Sequence, residues 1–296
     1  MPREIIEASK QKPSEKQGKS PSNPFGKKSV REPETGTRLS ALEIHENIRA
    51  PAEEELERPA SSLLFSSLAA GMLIGFTFLS SAFVSDFSAE PIKHAMASAA
   101  YPVGFIFVIM GRSELFTENT LEPIIPLLHK RDRETLRKGL RMWGLLILGN
   151  LVGALIFAWI IGATNIIEPS LHPTMQKIAA ESTSGGFGEV FYKSIFGGWL
   201  IALLAWLLAS TVDTIAQLFL IWVTTAPIAA FHFRHSIAGS VEAFYRAVTG
   251  TAGWAEMLGG FVVPALIGNA VGGVLLVALF NYAQVAEEHQ EEQQEG

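Results

Sequence analysis

The sequence contains no cysteine, which excludes a disulfide framework, a thiolate nucleophile and a thiolate metal site. It is also short of cations over most of its length. Of its 23 Lys and Arg, eleven lie in the first 58 residues and six between Lys130 and Arg141; only Lys177, Lys193, Arg234 and Arg246 follow. No basic footprint for nucleic acid remains. The first 30 residues lack the apolar core of a cleavable signal peptide and are rich in Lys, Ser and Pro, which reads as a disordered cytosolic tail through residue 58. Glu287, Glu288, Glu291, Glu292 and Glu295 make residues 287–296 an acidic solvated end.

What the chain has instead is apolar length. Hydrophobic residues make up 48% of it, and the mean hydropathy is +0.27. After Pro59 it falls into six apolar blocks: Ser61 to Ser85, Ile92 to Leu128, Leu140 to Ala163, Phe187 to Thr211, Thr214 to Ala247 and Met257 to Val285. Each is long enough to cross roughly 30 Å of hydrocarbon as helix. An all-α membrane protein follows, with a pore domain of six transmembrane helices over residues 59–286. The second and fifth blocks are too long and too polar inside to be simple spans. The positive-inside rule puts the basic Lys130 to Arg141 loop and the N-terminal tail in the cytoplasm, and an even number of crossings does the same for the C-terminus. The connection from Ile166 to Gly186 then lies outside, with Pro169, Pro173 and Gly185-Gly186 marking loop. Ahead of the first block, Leu39, Leu42 and Ile48 alternate with charges, and Ser40 and Glu43 have capping-box spacing, so a short amphipathic helix is expected near 39–49.

An internal repeat runs through these blocks. Gly149-Asn150-Leu151-Val152-Gly153 returns 119 positions later as Gly268-Asn269-Ala270-Val271-Gly272, and the same offset sets Thr117 opposite Ser236. With three spans ahead of each repetition, the halves face opposite ways across the bilayer. The Gly pairs have the small-xxx-small spacing that lets helix backbones approach closely. Ionisable groups at membrane depth need a counter-charge or a wet cavity, which singles out Arg112, Glu114, Arg234 and His235. In one reading Glu114 pairs with a nearby Arg and His235 is a satisfied packing residue. In the other, the second and fifth helices are broken and turn free amides and half-helix N-termini toward a central cavity that favours an anion. His235 would then sit where the breaks meet. His232 and His235 at i, i+3 lack a third metal ligand and a paired catalytic carboxylate, so neither a metal site, another cofactor nor an enzyme is expected.

The segments Glu114-Leu115-Phe116-Thr117, Gly149 to Ala154, Phe233-Arg234-His235-Ser236-Ile237-Ala238 and Gly268-Asn269 together resemble the formate/nitrite transporter family, in order and at compatible spacing, over Ser61 to Tyr282. The resemblance implies an aquaporin-like inverted repeat with broken second and fifth helices, assembled in the inner membrane as a homopentamer with one pore for small monovalent anions in each protomer. It also implies that His235 is the central pore histidine, Thr117 its hydrogen-bond partner and Asn269 a residue near the pore. An outer constriction falls on Tyr101, Phe116 and Ile228, and an inner one on Phe105, Leu115 and Ile201. Three departures stand out. The vestibule lysine maps near Ser182 and its partner asparagine to Gly198; Arg234 replaces the acidic residue before the histidine; Arg112-Ser113 displaces a glycine before Glu114. Both arginines are thus expected near the middle of the pore. The competing readings are a facilitator of water or small neutral solutes and a pore-closed scaffold.

Overall fold

The computed structural model describes residues 39–275, and among these every regular element is helical. The expectations for residues 1–38 and 276–296, including the acidic end, lie outside the described residues. Five helical stretches are long and apolar enough to cross a membrane: Ala60–Phe87, Lys93–Met110, Arg133–Ala163, Phe187–Leu208 and Trp254–Gly273. Thr214–Ala230 is apolar but only 17 residues long.

Helix α1 (Ala41–Glu55) opens with the expected capping box: Ser40 Oγ accepts from the Glu43 amide, and Glu43 accepts from the Ser40 amide at 2.8 Å. It continues past Pro51, longer than the sequence suggests. The Arg49–Glu53 ion pair (2.8 Å) spans the proline, and Ala52 and Glu55 beyond it are buried. Tertiary contacts thus outweigh the lost backbone bond. Residues 39–58 are therefore docked structure and no tail: Asn47 donates to the Ala209 carbonyl, and Arg58 bridges Glu55 (2.6 Å) and Glu114 (2.7 Å).

Helices α2 (Ala60–Leu73) and α3 (Gly75–Phe87) form the first apolar stretch, and α4 (Lys93–Ala100) and α5 (Pro102–Met110) the second. After a break, α6 (Leu121–Lys130) ends at Arg131, whose left-handed φ of 52° turns the chain into α7 (Arg133–Ala163). Asp132 caps α7 by accepting from the Glu134 and Thr135 amides, and these bonds, Thr135's foremost, hold its carboxyl below the ordinary carboxylate range. The basic cluster is thus mostly the first turns of a 31-residue helix and not a loop. The outer connection is also more ordered than expected. Pro173 starts α8 (His172–Ser182), where a missing N–H costs nothing.

Helices α9 (Phe187–Leu208), α10 (Thr214–Ala230), α11 (Ser236–Val248), α12 (Trp254–Met257) and α13 (Val263–Gly273) complete the described chain. The glycine pairs sit where expected, at the α2–α7 and α9–α13 crossings. A Cβ on Gly149 or Gly153 would strike Ser67 or the Leu68 carbonyl; on Gly268 or Gly272 it would strike the Phe191 or Ile195 carbonyl. Gly71 and Gly198 lie against the backbones of Asn150 and Asn269.

Both expected helix breaks are present, at residues 111–117 and 231–235. Each contains one left-handed residue, Arg112 and His232, both with φ 54°. Each break is clamped by an asparagine. Asn150 donates to the Ser67 and Glu114 carbonyls (2.7 and 2.9 Å) and accepts from the Phe116 amide (2.8 Å). Asn269 donates to the Ser194 and Arg234 carbonyls (2.6 and 3.0 Å) and accepts from the Ser236 amide (2.7 Å). The two breaks thus carry matching hydrogen-bond patterns, with one change of register. Ser236 answers Phe116, 120 positions away, and not Thr117, because the connector from the first break to α7 holds one more residue.

Replacing Asn269 by Ala strands the Arg234 carbonyl and the Ser236 amide and removes the tie to the Ser194 carbonyl of α9. At about 1–3 kcal/mol for each unmade bond, the variant should lose several kcal/mol of stability, read as a lower unfolding midpoint in detergent. Asn150→Ala should lose a similar amount. Gly198→Leu must push α9 off Asn269 and should cost about 1–3 kcal/mol in the same measurement, whereas Gly144→Leu, where a Cβ meets nothing, should cost little.

Candidate functional site

The two breaks meet at one hydrogen bond. Thr117 Oγ1 lies 2.7 Å from His235 Nε2, and both residues are buried. His235 is also the N-cap of α11, where Nδ1 accepts from the Ala238 amide at 3.1 Å. An imidazole nitrogen that accepts carries no hydrogen, so the ring's proton sits on Nε2 and is donated to Thr117. A second proton on the ring would need Nδ1 and would break the cap. Phe105 packs edge-on against the imidazole (5.0 Å between centroids, 86°), and Tyr101 packs on Phe105 at 5.5 Å.

On one side of this contact lies a cavity of about 90 Å³. His235, Tyr101 and Ile228 are among its lining residues. Helix α8 supplies a wall through Ile178, Glu181 and Ser182, and is held over α11 by His172 Nδ1 to the Tyr245 hydroxyl (2.8 Å) and by Arg246 donating to Thr183 Oγ1 (2.8 Å). His94 and His232 stack at the mouth, 4.7 Å apart.

Arg234 also lines this cavity, 4% exposed. One end of its guanidinium is tied down: Nη2 donates to the Glu181 and Ser184 carbonyls, both at 3.1 Å, and to Ser184 Oγ at 3.3 Å. Its Nε is buried with no hydrogen-bond partner among the described residues.

The other residues named from the sequence divide. Phe105, Leu115 and Ile201, expected at the inner constriction, are fully buried in the same apolar core. Phe116, expected beside Tyr101 and Ile228, does not line the cavity; its ring meets Trp143 of α7 edge-on at 5.9 Å. Asn269 spends both amide hydrogens and an acceptor on backbone, so it shapes the break and is not offered to a solute. Glu114 is paired, as one reading held: Arg58 is its ion partner, and Asn119 Nδ2 donates to its other oxygen. Arg112 does not share the middle of the pore with Arg234. It is exposed at the tip of the first break. Ser182 lines the cavity, but Gly198 belongs to the α9–α13 crossing, where a side chain would strike Asn269. At the start of α11, the amides of Ser236, Ala238 and Gly239 are bonded to Asn269, His235 Nδ1 and the His235 carbonyl.

One cavity residue escapes the sequence reading. Glu242, 6% exposed on α11, lines the cavity with Arg234. The signal was available: it is an acid in the fifth apolar block, subject to the same cost that singles out Glu114.

A model of the formate/nitrite transporter family matches residues 42–283. The inner membrane protein YfdC of Escherichia coli is 35% identical over 83% of this chain and 79% of its own length. A probable formate transporter of Methanothermobacter thermautotrophicus is 25% identical over 81% of this chain and 99% of its own. Among solved structures, a pentameric formate channel with formate bound superposes with a TM-score of 0.65 at 22% identity, covering 76% of this chain and 96% of the channel. These likenesses put a membrane protein of channel fold beside transporters and give no ground for an enzyme. The chain belongs to the formate/nitrite transporter family.

Proposed function

We propose that the chain is a homopentameric pore for the anions of small weak acids, with one pathway per protomer running from the α8 cavity past His235 and Thr117. The observation that carries this reading is the Thr117–His235 hydrogen bond, which joins the two helix breaks beside the cavity. The six spans form an inverted repeat, which the recurring asparagine clamps support. Both termini lie in the cytoplasm. Lys130 and Lys138 pair with Glu53 and Glu57 at the same end as the Arg58–Glu114 bridge, so the cations gather on one face, and the cavity opens on the other.

An anion reaching the cavity meets the positive end of α11 and the Arg234 guanidinium. Attraction comes from the helix dipole and the arginine. Past His235 the walls are Phe105, Leu115 and Ile201, all fully buried. A bare anion would pay a large desolvation cost there, and protonation to the neutral acid removes most of it. His235 and Thr117 then offer one polar contact along an apolar passage, with the threonine hydroxyl hydrogen free to follow the solute.

Formate uptake by purified protein in liposomes should rise as the outside pH falls. His235→Asn and Thr117→Ala should lower that flux about tenfold or more, equivalent to about 1.4 kcal/mol in the barrier. Flux unchanged by His235→Asn removes the role given to the histidine. Rapid osmotic water flow without formate flux would instead favour a neutral-solute facilitator, and a silent, correctly assembled oligomer a closed scaffold.

A further inference from the structure

The cavity is lined by Arg234, which the passage described above uses only for attraction, and by Glu242, which it does not use. Glu242 is buried, lines the cavity and has no ion pair within 4.0 Å among the described residues. The Ser182 hydroxyl, which lines the same cavity, donates to the Ala179 carbonyl at 3.2 Å, so its oxygen can accept from a protonated carboxyl. Arg234 lines the same cavity with Nε buried and unpartnered while Nη2 is fixed to the α8 end. One group can take an anion and the other can give a proton.

We propose that Arg234 and Glu242 form a two-sided subsite for the anion of a small carboxylic or nitrous acid: the guanidinium holds the anion, and the Glu242 carboxyl protonates it before it passes His235. The O–H bond of the Glu242 carboxyl breaks, and its proton moves to an oxygen of the anion. The neutral acid leaves toward His235, and the Glu242 carboxylate recovers a proton from water through the cavity mouth. No electrons change hands. Charge is conserved at each stage, because the carboxylate left behind faces the arginine that the anion has vacated.

The other titratable groups facing this site are His94 and Tyr101 from the second apolar stretch, Glu181 from α8, and His232 and His235 from the second break. Of these, His235 Nδ1 caps α11, the Ala230 carbonyl lies 3.2 Å from His94 Nε2, His232 is stacked against His94, and Glu181 is exposed, whereas Glu242 is a buried carboxyl. The assignment rests on the weak-acid reading above and adds to it the source of the proton and the group that holds the anion.

Full-length protein in liposomes, given formate over outside pH 5 to 8, tests both. In the wild type, flux persists at neutral pH because the protein supplies the proton. Glu242→Gln should lower it about tenfold at pH 7.5 but little at pH 5, where more of the acid arrives already neutral; Glu242→Asp should restore much of the loss. Arg234→Gln should raise KM for formate severalfold, and Arg234→Lys, which keeps the charge, should recover part of the loss. Identical pH profiles for wild type and Glu242→Gln overturn the proton-donor role, and an unchanged KM in Arg234→Gln overturns the anion site. Wild-type protein that moves no weak acid at any pH overturns the transport reading itself. Should Glu242→Gln fail to assemble, infrared difference spectra of the wild type decide: a protonated-carboxyl band that bleaches when formate is added, and shifts in Glu242→Asp, is expected. The absence of any such band at every pH rejects the proposal.

Discussion

Backbone that leaves the helix at membrane depth must find partners inside the protein, and the whole pathway depends on how Asn150 and Asn269 meet that demand. Each asparagine takes one carbonyl and one amide of a break and ties them to a carbonyl of a neighbouring helix, Ser67 or Ser194. The glycines at the crossings are part of the same solution. Gly71 and Gly198 give the asparagine-bearing helices their close seats, so the amide groups arrive within reach of the breaks. Only then are Thr117 and His235 set 2.7 Å apart.

The electrostatics follow from this frame. The carbonyl of Glu114 and that of Arg234 occupy matching positions on the two asparagines, yet their side chains meet opposite fates. Glu114 is neutralised by Arg58 outside the cavity, whereas Arg234 stays in the cavity, anchored by one nitrogen to α8. With Arg112 at an exposed tip, the guanidinium that lines the cavity is that of Arg234, and the Glu242 carboxyl lines it too.

Much of this was legible because it is written locally or repeated. Apolar blocks mark the spans, a capping box marks α1, and two Gly-Asn-x-x-Gly segments mark the crossings. What escaped depends on contacts distant in sequence. Pro51 suggests a helix end until the docked face beyond it is seen, and Pro173 suggests loop although a proline at the first helical turn costs nothing. The basic cluster is helical because Asp132 caps it and Arg131 turns in a single residue, a geometry that charge counting does not reveal. The one-residue difference in register needed the hydrogen bonds themselves. Arg58 and Glu114 lie 56 positions apart, and nothing in either segment announces the other.

That last pair ties the surface of the protein to its interior. Arg58 follows directly on α1, and its Nη1 is shared between Glu55 at the end of that helix and Glu114 inside the first break. The carboxylate is 3% exposed, so lifting α1 away would leave a bare negative charge in a place that cannot solvate it. Seating of the N-terminal helix and integrity of the break are therefore one thermodynamic unit. To trim the chain before Pro59 is to mutate the channel.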